Sequence, residues 1–208
     1  AAPWQTIRRG PDLRTDRAVQ IRRSDIHLTR FLQKRETLTI FVIDASGSAA
    51  LQRMAEAKGA VELLLVDCYV RRDQVAVIAF RENSAELLLP PTKSLVRAKR
   101  TLSGLPGGGA TPVAAALELT FDLVGRTSKE GRDAQYILLT DGAANVARDG
   151  TRGRDSGTRD ALTVAKALSM NSVTGLIIDT AQRPQQRAKE LANALRASYI
   201  ALPKADSR

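Results

Sequence analysis

Asp44, Ser46 and Ser48 are spaced two residues apart at the end of an apolar run, Leu38-Thr39-Ile40-Phe41-Val42-Ile43. Thr111 follows the glycine run Gly107-Gly108-Gly109, and Asp141 closes a second apolar run, Tyr136-Ile137-Leu138-Leu139-Thr140. These residues offer two carboxylates and three hydroxyls, all hard oxygen donors. Such a set suits Mg2+, with Mn2+ as the alternative ion. Hydroxyls in direct contact, with carboxylates acting partly through water, leave an ion electrophilic enough to take a carboxylate from another molecule. Singly, each piece has an ordinary use. Asp44 could cap a strand end, the serines could cap a helix, and Asp141-Gly142 could be a turn. The combination points to a metal.

These residues must be brought together by the elements that carry them. The apolar run Leu38–Asp44 reads as a strand covered on both faces, as parallel strands are. A long helix over Ala49–Val70 follows, then a strand over Gln74–Phe80, a turn at Arg81–Ser84 and a short antiparallel edge strand at Ala85–Leu89, stopped by Pro90-Pro91. Next come a helix over Ser94–Leu102, a glycine-rich loop, and a helix over Val113–Val124 with Pro112 in its first turn. The remainder reads as a strand at Gln135–Thr140, a polar loop from Gly142 to Gly157, a helix at Arg159–Ser169, a strand at Val173–Asp179, a helix at Pro184–Arg196 and a last strand at Tyr199–Leu202. Alternating strands and helices predict an α/β fold. Its doubly wound, mainly parallel sheet carries helices on both faces and one antiparallel edge strand. In such sheets ligands bind at the carboxyl ends of the strands, where strand order reverses. Asp44 and Asp141 meet there if their strands are neighbours.

The 208 residues carry a net charge of +10, and 43% are hydrophobic, enough for one well-buried domain. About half of the excess charge lies in residues 1–37, with nine Lys/Arg against four Asp/Glu, and this stretch reads as a basic arm packing on a domain over 38–208. The chain opens on Ala1 rather than Met, as a piece of a longer protein would. No apolar run nears the roughly 20 residues that span a bilayer. The single cysteine, Cys68, rules out an internal disulfide and reads as a buried reduced thiol, pointing to a cytoplasmic setting. Aromatic residues are only 4%, so base stacking has little to work with, and no nucleic-acid partner is expected. An acidic protein segment suits the charge better.

The stretch from Leu38 to Leu202 resembles a von Willebrand factor A (integrin I-like) domain, and the site resembles its metal-ion-dependent adhesion site. Asp44, Ser46 and Ser48 match the first motif, Thr111 the second and Asp141 the third. In that family the metal bridges to an acidic residue of a partner. Further stretches resemble the C-terminal region of magnesium chelatase D subunits: Ala57–Leu65, Cys68–Val75, Ala85–Thr92, Leu102–Gly109 and Thr140–Gly150. This likeness implies a role in (bacterio)chlorophyll synthesis, where an ATP-driven complex inserts Mg2+ into protoporphyrin IX. It implies as partners the AAA+ ATPase subunit, the porphyrin-binding catalytic subunit and an acidic linker of the parent chain. It also implies a setting in the cytoplasm, or in the plastid stroma of a plant or alga. A cobalt-chelatase-type subunit is the near neighbour.

Other features offer less. Gly107–Pro112 lacks the Gly-Lys-Ser/Thr of a phosphate-binding loop, so ATP is not expected to bind this chain. His27, the lone histidine, is far in sequence from any Ser-Asp pair. Asp179 ends a strand without a ligand set beside it. Lys93, Arg97 and Arg100 fall at i, i+4 and i+7 and offer a docking patch for acidic protein or porphyrin carboxylates, or a solvated face. Arg148, Arg152, Arg154 and Arg159 crowd the loop after Asp141 and offer a partner-recognition rim beside the metal.

Overall fold

The computed structural model describes residues 36–46, 61–105, 107–171, 173–181 and 183–202. The expected N-terminal arm, His27, Gly47, Ser48 and the first part of the expected Ala49–Val70 helix lie outside the described residues.

Among the described residues six strands form one sheet: β1 (Thr37–Asp44), β2 (Gln74–Arg81), β3 (Ser84–Thr92), β4 (Asp133–Thr140), β5 (Thr174–Asp179) and β6 (Ser198–Ala201). Their order is β3-β2-β1-β4-β5-β6, with every pair parallel except β2–β3. The helical segments are α1 (residues 61–70), α2 (Leu95–Ser103), α3 (Val113–Lys129), α4 (Arg154–Ser169) and α5 (Gln186–Leu195). The chain leaves β1 toward β2 on one side and returns to β4 on the other. Strand order therefore reverses between β1 and β4.

The central strands alternate strictly. Leu38, Ile40 and Val42 of β1, with Tyr136 and Leu138 of β4, face a core shared with Leu117 of α3, Ala165 of α4 and Leu191 of α5. Phe41, Ile43, Ile137 and Leu139 face the opposite way, onto Val61 and Leu65 of α1 and Ala98 of α2. Because side chains alternate with period two, one strand supplies both layers. Truncating a fully buried leucine such as Leu138 to alanine costs about 2–5 kcal/mol. Cys68 is free and buried, its thiol donating to Thr39 Oγ1 at 3.4 Å, and burial raises its pKa.

Three boundaries differ from expectation. The edge strand does not stop at Leu89 but runs through Pro90 and Pro91 to Thr92. Its register against β2 shifts twice, once across these prolines, so β-bulges on the outermost described strand absorb the missing N–H donors. The helix expected to end at Val124 continues to Lys129: its buried face persists to Thr127, whose hydroxyl finds an acceptor inside the helix at the Leu123 carbonyl. The helix expected from Arg159 begins at Arg154, so Gly157 is helical rather than part of the loop. A Cβ on Gly157 would come within 2.8 Å of the Val146 nitrogen, so the glycine lets the helix lie directly on the preceding loop.

Candidate metal centre

The parallel registers put Asp44 and Thr140 level at the carboxyl ends of neighbouring strands. Asp44 is buried at 7% exposure. Its Oδ1 accepts the Ser46 N–H at 3.0 Å, and its Oδ2 accepts the Thr140 hydroxyl at 2.9 Å. Thr140 Oγ1 in turn accepts the Gly142 N–H at 3.1 Å. Burial pushes the Asp44 carboxyl up to about 6, and the nearby charge of Asp141 adds to the rise, against the pull of hydrogen bonds from Ser46 and Thr140. A carboxylate in that position lacks a counter-charge: among the described residues no cation contributes to holding it ionised.

The second loop arrives by main-chain bonds. Gly108 N–H donates to the Ala45 carbonyl at 2.8 Å, tying the glycine run to the residue after Asp44. Gly108 and Gly109 both take positive φ, of 120° and 97°, which lets the chain turn back so tightly. Thr111, buried at the start of α3, then donates its hydroxyl to Ser46 Oγ at 2.9 Å. Thr111 is clamped from behind, its N–H donating to Asn145 Oδ1 at 2.6 Å and its carbonyl accepting the Asn145 N–H at 3.2 Å. Asp141 is half-buried, with Oδ1 accepting the Ala143 N–H at 2.8 Å and, among the described residues, no hydrogen bond to its other oxygen.

Four of the five residues expected as ligands therefore gather at the switch point: Asp44, Ser46, Thr111 and Asp141. Ser48 lies outside the described residues. Among the described residues no three His, Cys, Asp or Glu side chains cluster, so the centre has hydroxyl-rich character, unlike a thiolate or imidazole site. An uncompensated buried carboxylate, a second carboxylate acting on it and two hydroxyls in contact fit a small divalent cation. Sequence reasoning missed Thr140 and Asn145. Thr140 carries a signal, a hydroxyl ending an otherwise apolar buried strand. Asn145 carries none, because its role depends on a fold-back from a loop 34 residues away.

The basic residues divide. Arg148 pairs with Glu118 at 2.5 Å, and its N–H donates to Asp160 Oδ2 at 2.8 Å. Arg152 and Arg154 are exposed and, with Asn145, Gly109, Ala110 and Gly153, line an open cleft of about 420 Å³ beside Thr111. Lys93 precedes α2, which Ser94 caps through the Arg97 N–H, and pairs with Glu36. Only Arg97 and Arg100 of the expected trio are helical, and both are exposed. Asp179 is fully buried and accepts from Ala181 N–H, Gln185 N–H and Tyr199 hydroxyl.

The family profile of the von Willebrand factor type A domain matches residues 39–143, about half of the chain, from β1 through the turn that holds Asp141. The chain belongs to this family. A von Willebrand factor type A structure from Catenulispora acidiphila shares the fold, with a TM-score of 0.55 at 16% identity, covering 82% of this chain and 39% of that one. The magnesium-chelatase 60 kDa subunit of Cereibacter sphaeroides is 49% identical over 207 residues, covering 100% of this chain and 37% of the subunit. The magnesium-chelatase 67 kDa subunit of Heliobacterium mobile is 41% identical over 211 residues, covering 98% of this chain and 32% of the subunit. This von Willebrand factor type A chain thus spans about a third of the length of the curated relatives it matches. Among the described residues no helix is long and apolar enough to cross a membrane.

Proposed function

We propose that this domain is a Mg2+-dependent protein-interaction module of a magnesium chelatase, supporting ATP-driven insertion of Mg2+ into protoporphyrin IX during (bacterio)chlorophyll synthesis. The observation that carries the reading is the buried Asp44 carboxylate at the switch point, facing the Ser46–Thr111 hydroxyl pair, in a chain 49% identical to a magnesium-chelatase subunit. Asp44, Ser46, Ser48, Thr111 and Asp141 would hold Mg2+, or Mn2+ in its place. The ion supplies an electrophilic point that accepts a carboxylate oxygen from another protein.

The chain's own residues prepare that point. Thr140 fixes one oxygen of Asp44, and the Ser46 N–H fixes the other. Asn145 sets the main chain of Thr111, and the Gly108–Ala45 bond sets the approach of its loop. The hydroxyls are therefore placed before any ligand arrives, which lowers the ordering cost of binding. The domain contributes binding, and bond-making belongs to the rest of the complex. The AAA+ ATPase subunit is the first partner, with the porphyrin-binding subunit and an acidic linker of the parent chain next, in the cytoplasm or plastid stroma. ATP is bound elsewhere in the complex.

The test is binding of the chain to the purified AAA+ subunit in Mg2+ and in EDTA. Binding is expected to need the metal, and Asp44→Ala is expected to abolish the difference while leaving the circular dichroism spectrum unchanged. Equal affinity of wild type and variant in Mg2+ would refute the bridged carboxylate. Transfer of labelled Mg2+ from this chain to porphyrin would instead favour a metal-delivering role, and transfer confined to Co2+ a cobalt-chelatase-type complex.

A further inference from the structure

The cleft beside Thr111 has a chemistry of its own. Asn145 is oriented by a donor: the Thr111 N–H needs an acceptor, so the amide oxygen faces Thr111. The amide NH2 is then left to donate elsewhere. Arg152 and Arg154 line the same cleft, and among the described residues neither forms an ion pair. Arg148, four residues earlier in the same loop, is taken up by Glu118. The side-chain donors on the cleft wall thus carry two unneutralised guanidinium groups and one amide, with no carboxylate among the described lining residues. The cleft is also rigidly joined to the candidate metal centre, since Ala110 precedes Thr111 and Asn145 bonds to it.

We infer that this cleft is a second carboxylate-binding subsite, so that the domain recognises an acidic peptide segment at two points. One carboxylate goes to the metal and a second to Asn145, Arg152 and Arg154. The inference rests on the metal-bridged reading for the first point and adds the second. Guanidinium groups bind carboxylates in a two-pronged manner, so the subsite selects among acidic partners by the spacing of their charges. It also accounts for the division of labour among these arginines, in which Arg148 holds the loop to α3 while Arg152 of the loop and Arg154 at the start of α4 face the ligand.

The probe is fluorescein-labelled hexaglutamate, with hexaglutamine as blank, titrated into the chain at constant ionic strength in Mg2+ and in EDTA. The Arg152→Gln/Arg154→Gln double variant is expected to bind at least tenfold more weakly in Mg2+. The charge control is Arg126→Gln/Lys129→Gln. It removes the same charge from the far end of α3, about 25 Å along the helix from Thr111 at 1.5 Å per residue. That control is expected to change affinity less than threefold. Equal losses in the two double variants would reduce the effect to net charge and overturn the subsite, as would no loss from the cleft arginines. The two readings fail separately. Binding that ignores Mg2+ but still falls with the cleft arginines refutes the metal bridge and keeps the subsite. Binding that needs Mg2+ but ignores those arginines refutes the subsite alone.

Discussion

Asp44 and Asp179 occupy equivalent places in the same sheet. Each is a buried aspartate at the carboxyl end of a parallel strand, with β4 between them. Their surroundings differ in kind. Asp179 collects the Ala181 N–H at 2.8 Å, the Gln185 N–H at 3.2 Å and the Tyr199 hydroxyl at 2.6 Å, from the following loop and from β6. Asp44 receives bonds from Ser46 and Thr140, yet burial, with a smaller push from the charge of Asp141, drives its pKa up. One end of the sheet uses an aspartate to hold the fold together. The other keeps an aspartate in an environment that a cation would improve. A buried acid is a structural part when its donors come from the fold, and a candidate ligand when its charge is left uncompensated.

The largest effect should come from breaking the satisfied end. Asp179→Ala leaves two N–H groups and a hydroxyl without their acceptor, and a loss of about 3–5 kcal/mol is expected in urea denaturation. The Asp44 end should respond with the opposite sign. In EDTA, a carboxyl whose folded value of about 6 exceeds its ordinary 3.8 favours the fold when protonated. Stability from this group is present at low pH and falls as pH rises from about 4 to 6, by about 3 kcal/mol at most. Asp44→Asn should flatten that fall, melt above the wild type in EDTA at pH 7, and lose the rise in melting temperature that Mg2+ is expected to give the wild type. A variant less stable than wild type in EDTA would make Asp44 a structural residue like Asp179.

The sequence distinguished these two ends for a physical reason. Asp44 is followed by Ser46, and hydroxyls spaced by two along one loop are readable without a structure. The strand pattern was readable too, because the alternation of Leu38, Ile40 and Val42 against Phe41 and Ile43 must serve two cores. The start of α4 was not. Gly157 looks like a loop residue until the Val146 nitrogen is seen against it. Pro90 and Pro91 look like a stop because the bulges that accommodate them depend on register with β2. Asn145 acts across 34 residues of chain, so local spacing holds no trace of it, whereas Thr140 left the trace of a hydroxyl ending an apolar strand.

A glycine joins the two ends and tests their independence. Gly142, next to Asp141, has a φ of 76°, and a Cβ there would sit 2.5 Å from the nitrogen of Ala188 in α5, the helix that follows Asp179. Gly142→Ala should cost about 2 kcal/mol through left-handed strain and the displaced helix. It should also weaken Mg2+ binding measured by calorimetry, because the turn that carries Asp141 must move. An unchanged Mg2+ affinity would show that the two ends are mechanically separate. The smallest effect is expected at Tyr199. Burial and the Asp179 carboxylate push its hydroxyl up to about 12, so it remains a donor at neutral pH. Tyr199→Phe removes one of three donors and leaves the other two in place, so a loss of about 1 kcal/mol is expected. The rise in melting temperature expected with Mg2+ should be unaltered, because among the described residues no bond of the Tyr199 side chain reaches β1 or β4. A changed Mg2+ response in this variant would mean that Asp179, through β5, helps set the position of Asp141, and the contrast between the two aspartates would then be one of degree.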